Sequence, residues 1–346
     1  MKTKGYAAIT PKAPLVPFEF ERRELGEHDV CLDIKYAGIC HSDIHQAREE
    51  WGKAIFPMVP GHEIAGIVTA IGAKVSKFAV GQKIGVGVFV DSCRKCEQCQ
   101  NGMQQYCAEG MTVTYNAIAR DGKTSNMGGY SQHFIVNEDY AVSIPDGLPL
   151  EGVAPLLCAG ITLYSPIRHW GVKPGQKVGV IGLGGLGHMG VKFAAALGAE
   201  VTVFSHSPQK RSDALAMGAK HFVNTSEKDS FSELRKSFDL ILNTVSAEID
   251  VNPFLELLKI DGALVLVGLP PKPLTVHAGT IIGARRSLSG STIGGIPELQ
   301  EMLNFCGEKS IVSDVEVIDA DYINTAYERT VASDVKYRFV IDASTF

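Results

Sequence analysis

Residues 177-KVGVIGLGGLGHMGVKFAAALGAEVTVFSHSPQKRSDALAMGA-219 change hydrophobic period twice. The apolar run Val178 to Ile181 fits a buried strand. It enters a turn, Gly182, Leu183, Gly184, Gly185, Leu186, Gly187, that holds the spacing G-x-G-x-x-G. Met189, Val191, Phe193, Ala194 and Leu197 then recur at helical spacing, and Glu200 to Phe204 forms a second strand. A glycine-rich turn alone says little in a chain with 36 glycines. Within a strand–turn–helix–strand frame it says much more. Two glycines allow the tight turn and close approach of a pyrophosphate, and the third allows helix–strand packing. The anion would lie at the helix N-terminus, where free N–H groups face it.

The end of the second strand distinguishes the two dinucleotides. An NAD site places an Asp or Glu there to accept from the ribose hydroxyl. This chain has Ser205, His206, Ser207, Lys210 and Arg211 instead. Hydroxyls and cations suit a 2′-phosphate, whereas a carboxylate about 4 Å away would cost on the order of 4 kcal/mol at an effective dielectric near 20. NADP(H) is therefore the expected cofactor.

Working outward, FDLILNTV (238–245), a helical VNPFLELLK (251–259) and GALVLVG (262–268) continue the alternation. They predict an α/β, doubly wound cofactor domain over 155–290. Residues 1–154 carry short β-rich runs such as EIAGIVTAIG, KIGVGVFV and YSQHFIVN, broken by Gly and Pro, and predict a mainly β, barrel-like domain. Residues 291–346, with a helix over Pro297–Phe305 and a strand in KYRFVID, are expected to return to that first domain.

Composition excludes other classes. The chain has 346 residues, 45% hydrophobic and 21% charged, with 33 Lys+Arg against 38 Asp+Glu. That length favours two domains, and the charge balance gives no nucleic-acid footprint. The N-terminus has no apolar signal segment and no run approaches a membrane span, so a cytoplasmic protein is expected. The eight cysteines are then better read as metal ligands or core residues than as disulfides.

Four of them form 93-CRKCEQCQNGMQQYC-107, a lobe spanning about residues 90–110. Cys93, Cys96, Cys99 and Cys107 can fill the tetrahedron of one Zn²⁺ and leave no open position, which makes the site structural. Ferredoxin-type runs continue with x3-C-P, and no proline follows Cys107. Four thiolates with Zn²⁺ carry about −2, taking the formal −5 to about −7. A second set lies in three separate segments. Cys40, His62 and Cys158 supply the Cys2His donors of a catalytic zinc that keeps one position free. Glu63 suits either a fourth ligand in the resting enzyme or a group supporting the ligands from behind.

The segments GICHSDIHQAREEW, PGHEIAGIV, the four-cysteine lobe, MGGYSQHFIV, PLLCAGITLYSP, GLGGLGHMGVK and SHSPQK occur together and in order. On these the chain resembles the zinc-containing medium-chain alcohol dehydrogenases, in particular the cinnamyl alcohol dehydrogenase-like branch with its bacterial broad-range aldehyde reductases. The resemblance implies a GroES-like catalytic domain, a Rossmann cofactor domain, and hydride transfer between NADP(H) and an aldehyde or primary alcohol. It implies a proton path from Ser42 to His45, with Asp43 steadying a zinc ligand. It implies cofactor contacts from His41, Ser42, Thr244, Gly268, Ser291, Thr292 and Ile293, and a homodimer. Trp51, Val113, Tyr115 and Ile293 are expected to line an apolar pocket for aromatic or medium aliphatic aldehydes. Val113 stands where lignin-pathway members commonly carry Trp, which argues against a dedicated monolignol role. A zinc-dependent polyol dehydrogenase and a non-catalytic zinc- and dinucleotide-binding redox sensor are the competing readings. The first more naturally binds NAD, and the second has no need of Ser42 beside an open metal position. His188, His221 and His277 are expected at the surface or at helix ends, and Cys31 and Cys306 in the core.

Overall fold

Alternating apolar and polar residues in the N-terminal segment become nine strands: β1 (Lys2–Ala7), β2 (Val16–Glu21), β3 (Asp29–Gly38), β4 (Ile64–Ile71), β5 (Lys83–Val86), β6 (Phe89–Asp91), β7 (Thr112–Val113), β8 (His133–Asn137) and β9 (Val142–Ser143). Strand β1 shows the cause plainly, burying every second side chain of KTKGYA. Helix α1 (His41–Ala47) follows β3, and the short helices α2 (Glu97–Gln100) and α3 (Leu150–Val153) lie further on. This computed structural model describes residues 1–346.

Helix α4 (Ala159–His169) leads to an alternating segment made of β10 (Lys177–Ile181), α5 (Gly187–Ala196), β11 (Glu200–Ser205), α6 (Arg211–Ala216), β12 (His221–Asn224) and β13 (Phe238–Asn243). It continues with α7 (Asn252–Leu257), β14 (Leu258–Leu266), α8 (Ala278–Ile282) and β15 (Ser287–Gly290). The six strands form one parallel sheet in the order β12-β11-β10-β13-β14-β15. That is the doubly wound arrangement, with its reversal between β10 and β13. The helix expected over 251–259 stops at Leu257, because Leu258 already pairs with Phe238 as a strand residue.

After β15 come α9 (Ile296–Lys309), β16 (Val315–Ile318), α10 (Ile323–Val331) and β17 (Arg338–Asp342). Strand β17 pairs with the end of β3, and β16 pairs with β17. The chain thus forms two compact units, residues 1–161 with 294–346, and residues 162–293. The divisions fall after Ile161 and Ile293 rather than after 154 and 290, as the sequence pattern had placed them. Leu157 belongs to the first unit: its side chain fills the space over Gly85 in β5.

The seven-stranded sheet of the first unit runs β16-β17-β3-β4-β5-β9, with β8 also on β3. It is open, not a closed barrel. Strand β3 splits its outer edge, giving Asp29–Asp33 to β8 and Tyr36–Gly38 to β17, so no strand joins β9 to β16. No single helix is long and apolar enough to cross a membrane.

The second unit is held by an aromatic core. Phe204 in β11 sits 5.7 Å from Phe231, 5.5 Å from Phe238 and 5.5 Å from Phe254, ring centre to ring centre, and is fully buried. Phe204→Ala should cost about 3–5 kcal/mol of stability by opening a cavity among those rings. Urea unfolding of the variant measures this directly.

Candidate active site and metal centres

Short spacings bring the lobe cysteines together. Helix α2 starts at Cys96, and the four Sγ atoms of Cys93, Cys96, Cys99 and Cys107 lie within 4.8 Å of one another. Cys93 and Cys99 are 3.8 Å apart, matching the sulfur spacing of about 3.8 Å that a tetrahedral zinc with 2.3 Å bonds imposes. Backbone amides supply the remaining support. Cys93 N donates to Cys107 Sγ at 3.3 Å, Cys96 N to Cys93 Sγ at 3.3 Å, and Ala108 N to Cys96 Sγ at 3.5 Å. The last of these draws the Cys96 thiol down to about 6. Such donors favour thiolates, so the residues fit a closed zinc site.

In the first unit a second cluster joins Cys40, His62, Glu63 and Cys158, whose ligand atoms also lie within 4.8 Å of one another. Cys40 is the N-cap of α1, His62 and Glu63 immediately precede β4, and Cys158 follows a 3₁₀ turn. The two sulfurs are 4.0 Å apart. That contact holds the Cys40 thiol well below its ordinary range and pushes Cys158 well above. His62 Nε2 and Glu63 Oε2 are buried with no hydrogen-bond partner. A buried donor set with two orphaned atoms is what a cation would satisfy. Cys40, His62 and Cys158 therefore fit zinc, with Glu63 beside them.

The back of this cluster is more elaborate than its sequence suggests. Arg338 on β17 donates to Glu63 Oε1 at 2.6 Å and to Ile39 O at 2.7 Å, with both charged side chains buried. Burial pushes the Glu63 carboxyl up to about 7, against the opposing pull of Arg338. Asp43, fully buried, accepts from His62 Nδ1 at 3.1 Å, as a carboxylate steadying a zinc ligand should. Burial disfavours a charged His62, but Asp43 outweighs it and lifts the imidazole well above its usual range. Tyr115 stacks on His62 with ring centres 5.8 Å apart. Arg338, Tyr115 as a partner of His62, and the donors to Asp43 escaped sequence reasoning. Arg338 lies 275 residues from Glu63, and only the β3–β17 pairing brings them together.

Ser42 and His45 lie three residues apart on α1, hence on one face. Ser42 Oγ is 3.6 Å from Cys40 Sγ. His45 Nδ1 meets the Glu50 carboxylate, and its ring stacks on Trp51 at 4.7 Å. Trp51 thus packs on the imidazole and keeps nearly half its surface exposed. His41 begins the same helix and is exposed.

In the second unit the expected cofactor residues share one edge of the parallel sheet. Gly182 follows β10, Ser205 ends β11, Thr244 follows β13, and Gly268 and Ser291 follow β14 and β15. This is the carboxyl edge, outside which doubly wound sheets bind ligands. Gly182 adopts φ +88°, and a Cβ on Gly187 would come 2.1 Å from Gly182 O, so both positions need glycine. A Cβ on Gly184 would meet nothing within 4 Å. Thr244 Oγ1 ties to Ile181 O at 2.7 Å. Ser207 N donates to Ser205 Oγ at 3.1 Å, and Lys210 Nζ reaches Leu183 O at 2.8 Å. His206 and Arg211 are exposed beside them. Thr292 and Ile293 follow Ser291, and Ile293 is buried with φ +36°, an unusual conformation for a β-branched residue. His188 stands at a helix end, in the first turn of α5, and is fully buried there; His221 is exposed beside Glu200. Cys31 and Cys306 are buried.

Comparison with known proteins agrees with this geometry. Residues 26–146 match the alcohol dehydrogenase GroES-like domain, and residues 185–308 match the zinc-binding dehydrogenase family. The chain is 56% identical over 340 residues to the NADP-dependent alcohol dehydrogenase C of Mycobacterium tuberculosis, covering 98% of each chain. It is 52% identical over 347 residues to the aldehyde reductase YahK of Escherichia coli, covering 100% of this chain and 99% of that one. The crystal structure of the CAD of Helicobacter pylori complexed with NADP(H) superposes with a TM-score of 0.93, at 43% identity and 99% coverage of both chains. The chain belongs to the zinc-containing alcohol dehydrogenase family. It is an enzyme of that family, an oxidoreductase.

The two metal sites should separate by mutation. His62→Ala or Cys158→Ala should each lower the zinc content by one per chain and abolish turnover while the dinucleotide still binds. Cys96→Ser should lose the other zinc and lower the melting temperature, because closed sites contribute directly to folding. Elemental analysis with calorimetry checks both.

Proposed function

We propose that this protein is a zinc-dependent, NADP(H)-linked oxidoreductase that interconverts aldehydes and primary alcohols, in the manner of the cinnamyl alcohol dehydrogenase-like aldehyde reductases. The carrying observation is the buried Cys40–His62–Cys158 set, with His62 Nε2 left unpaired and Ser42 Oγ 3.6 Å from Cys40 Sγ. When bound, zinc supplies a Lewis acid toward the substrate oxygen, and NADPH supplies the hydride.

The protein's own residues handle the proton and the orientation. Ser42 Oγ, beside the ligand sulfur, is placed to give or take the hydroxyl proton of the substrate. His45 is the outer end of that path. Its Nδ1–H donates to Glu50, which leaves Nε2 free to exchange a proton with water. Asp43 keeps His62 Nδ1 protonated and Nε2 directed at the metal position. Tyr115 and Trp51, packed on His62 and His45, give the substrate side an apolar, aromatic character suited to aromatic or medium aliphatic aldehydes.

The β11 loop supports NADP(H) over NAD(H). It offers Ser205, Ser207, Lys210 and Arg211 and no carboxylate at the ribose position. Lys210 is half buried, and that burial lowers its ammonium pKa, so an arriving phosphate would relieve the penalty. A binding-only redox sensor would not need the Ser42–His45 arrangement, and a polyol dehydrogenase would favour NAD.

None of the eight cysteines is paired in a disulfide, which supports a cytoplasmic setting. A homodimer is supported by β15, an unpaired edge of the parallel sheet, together with the exposed Ile282 and Ile260 (78% and 70%). Sedimentation should give twice the chain mass, and Ile282→Asp should shift it toward monomer. A panel of aldehydes assayed with both dinucleotides should give kcat/KM far higher with NADPH. Lys210→Ala should raise KM for NADPH at least about tenfold, the loss of one charge-assisted contact, and leave NADH constants nearly unchanged. Equal effects on both cofactors would remove Lys210 from the phosphate site.

A further inference from the structure

The segment 127-MGGYSQH-133 matches family sequences yet contributes no ligand and no proton carrier. Its backbone is zipped onto the loop that carries His62. Gly128 N donates to Val59 O at 2.7 Å, Gly129 N to Gly61 O at 2.8 Å, and Tyr130 N to Pro60 O at 3.0 Å. Tyr130 is fully buried, its ring lies against Gly61, and its hydroxyl donates to Asp43 Oδ2 at 2.9 Å.

Asp43 is the junction. Oδ2 takes Tyr130 OH and Cys40 N, each at 2.9 Å, while Oδ1 takes Gly61 N and His62 Nδ1, each at 3.1 Å. One carboxylate thus fixes the backbone of one metal ligand and the ring of another. Tyr130 gives Oδ2 a side-chain donor at 2.9 Å that opposes the two bonds on Oδ1 and so steadies the carboxylate's rotation. The tyrosine is itself fixed from outside the cluster. Arg22 sends Nε to His133 O at 3.0 Å, Nη1 to Met127 O, and Nη2 to Gly128 O and Ser131 Oγ at 2.7 Å each. Its guanidinium lies between the rings of Phe20 and Phe134, at 4.8 and 4.6 Å. Every one of those bonds goes to the 127–133 turn.

We propose that Tyr130 is a positioning residue for the Cys40–His62–Cys158 ligand set, acting through its hydroxyl on Asp43, with Arg22 anchoring the turn that presents it. The proposal rests on the reading that those three residues hold the catalytic zinc. Without the hydroxyl, Oδ2 keeps one donor, the carboxylate gains rotational freedom, and the His62 ring loses its fixed direction. Packing of the phenyl ring is retained.

The test uses the full-length zinc-loaded protein and Tyr130→Phe. Zinc release to a chromophoric chelator is followed as two phases, one per site, beside the visible spectrum of protein with cobalt at the catalytic site. Release from the catalytic site should be at least about tenfold faster, with a shifted cobalt band, an unchanged four-cysteine phase and an unchanged KM for NADPH. Wild-type release with an unaltered cobalt band overturns the role of Tyr130. Equal acceleration of both phases does so too, since it marks general loosening rather than positioning. His62→Ala locates any failure. If that variant keeps both phases, the ligand assignment falls and the proposal with it; if it loses one phase while Tyr130→Phe behaves as wild type, only the Tyr130 role falls.

Discussion

Two thiols, an imidazole and two carboxylates share one buried volume in the first unit, and their mutual charge is the constraint that shapes everything around them. Asp43 and Glu63 are fully buried, and Cys40 and Cys158 must both be thiolates to ligate metal. Arg338 pairs with this group through Glu63, and His62 pairs with Asp43. Once both sulfurs are thiolates and the imidazole is neutral, four negative groups face one arginine, which is costly in a low-dielectric interior. A divalent cation among the sulfurs brings the cluster close to neutrality. The charge state that ligation demands, two thiolates with a neutral imidazole, is therefore one that a divalent cation balances.

That requirement also explains the fold's choice of supporting elements. Cys40 can cap α1 because its amide is taken by Asp43, three residues on. Arg338 can be buried because β17 adds to the end of β3 and hands its guanidinium the carbonyl of Ile39 as well as Glu63. The open sheet follows from the same arrangement: β3 divides its outer edge between β8 and β17. Closure is given up where β17, with its arginine, is docked.

Local signals were legible in the sequence and long-range ones were not. The glycine turn, the β11 loop and the cysteine lobe each lie within one short stretch whose spacing states its chemistry. Cys40, His62 and Cys158 could be grouped because Cys and His are few and chemically distinctive. Arg338 and Tyr130 were not, since an arginine in a strand and a tyrosine after two glycines have many ordinary uses. Their meaning depends on pairings that join positions 63 with 338 and 43 with 130. His188 does stand at a helix end, as expected, but its burial was not legible for a similar reason. A histidine opening a helix reads as a surface residue, but α5 turns its first residues inward against the sheet.

The two metal sites differ in what they leave unsatisfied, and that difference separates structure from chemistry. In the lobe, amides of Cys93, Cys96 and Ala108 are spent on sulfur, so the cluster is complete once four thiolates meet one ion. In the other site, His62 Nε2 and Glu63 Oε2 are left unpaired beside the two sulfurs, and a hydroxyl, Ser42 Oγ, lies 3.6 Å from Cys40 Sγ on a helix that also carries His45. A purely architectural zinc would have no use for the proton path proposed above through Ser42 and His45, one helical turn apart. On that proposal, selection for turnover would account for the arrangement and for retaining a buried arginine–glutamate pair that hydrophobic residues of similar volume would replace at little cost to stability.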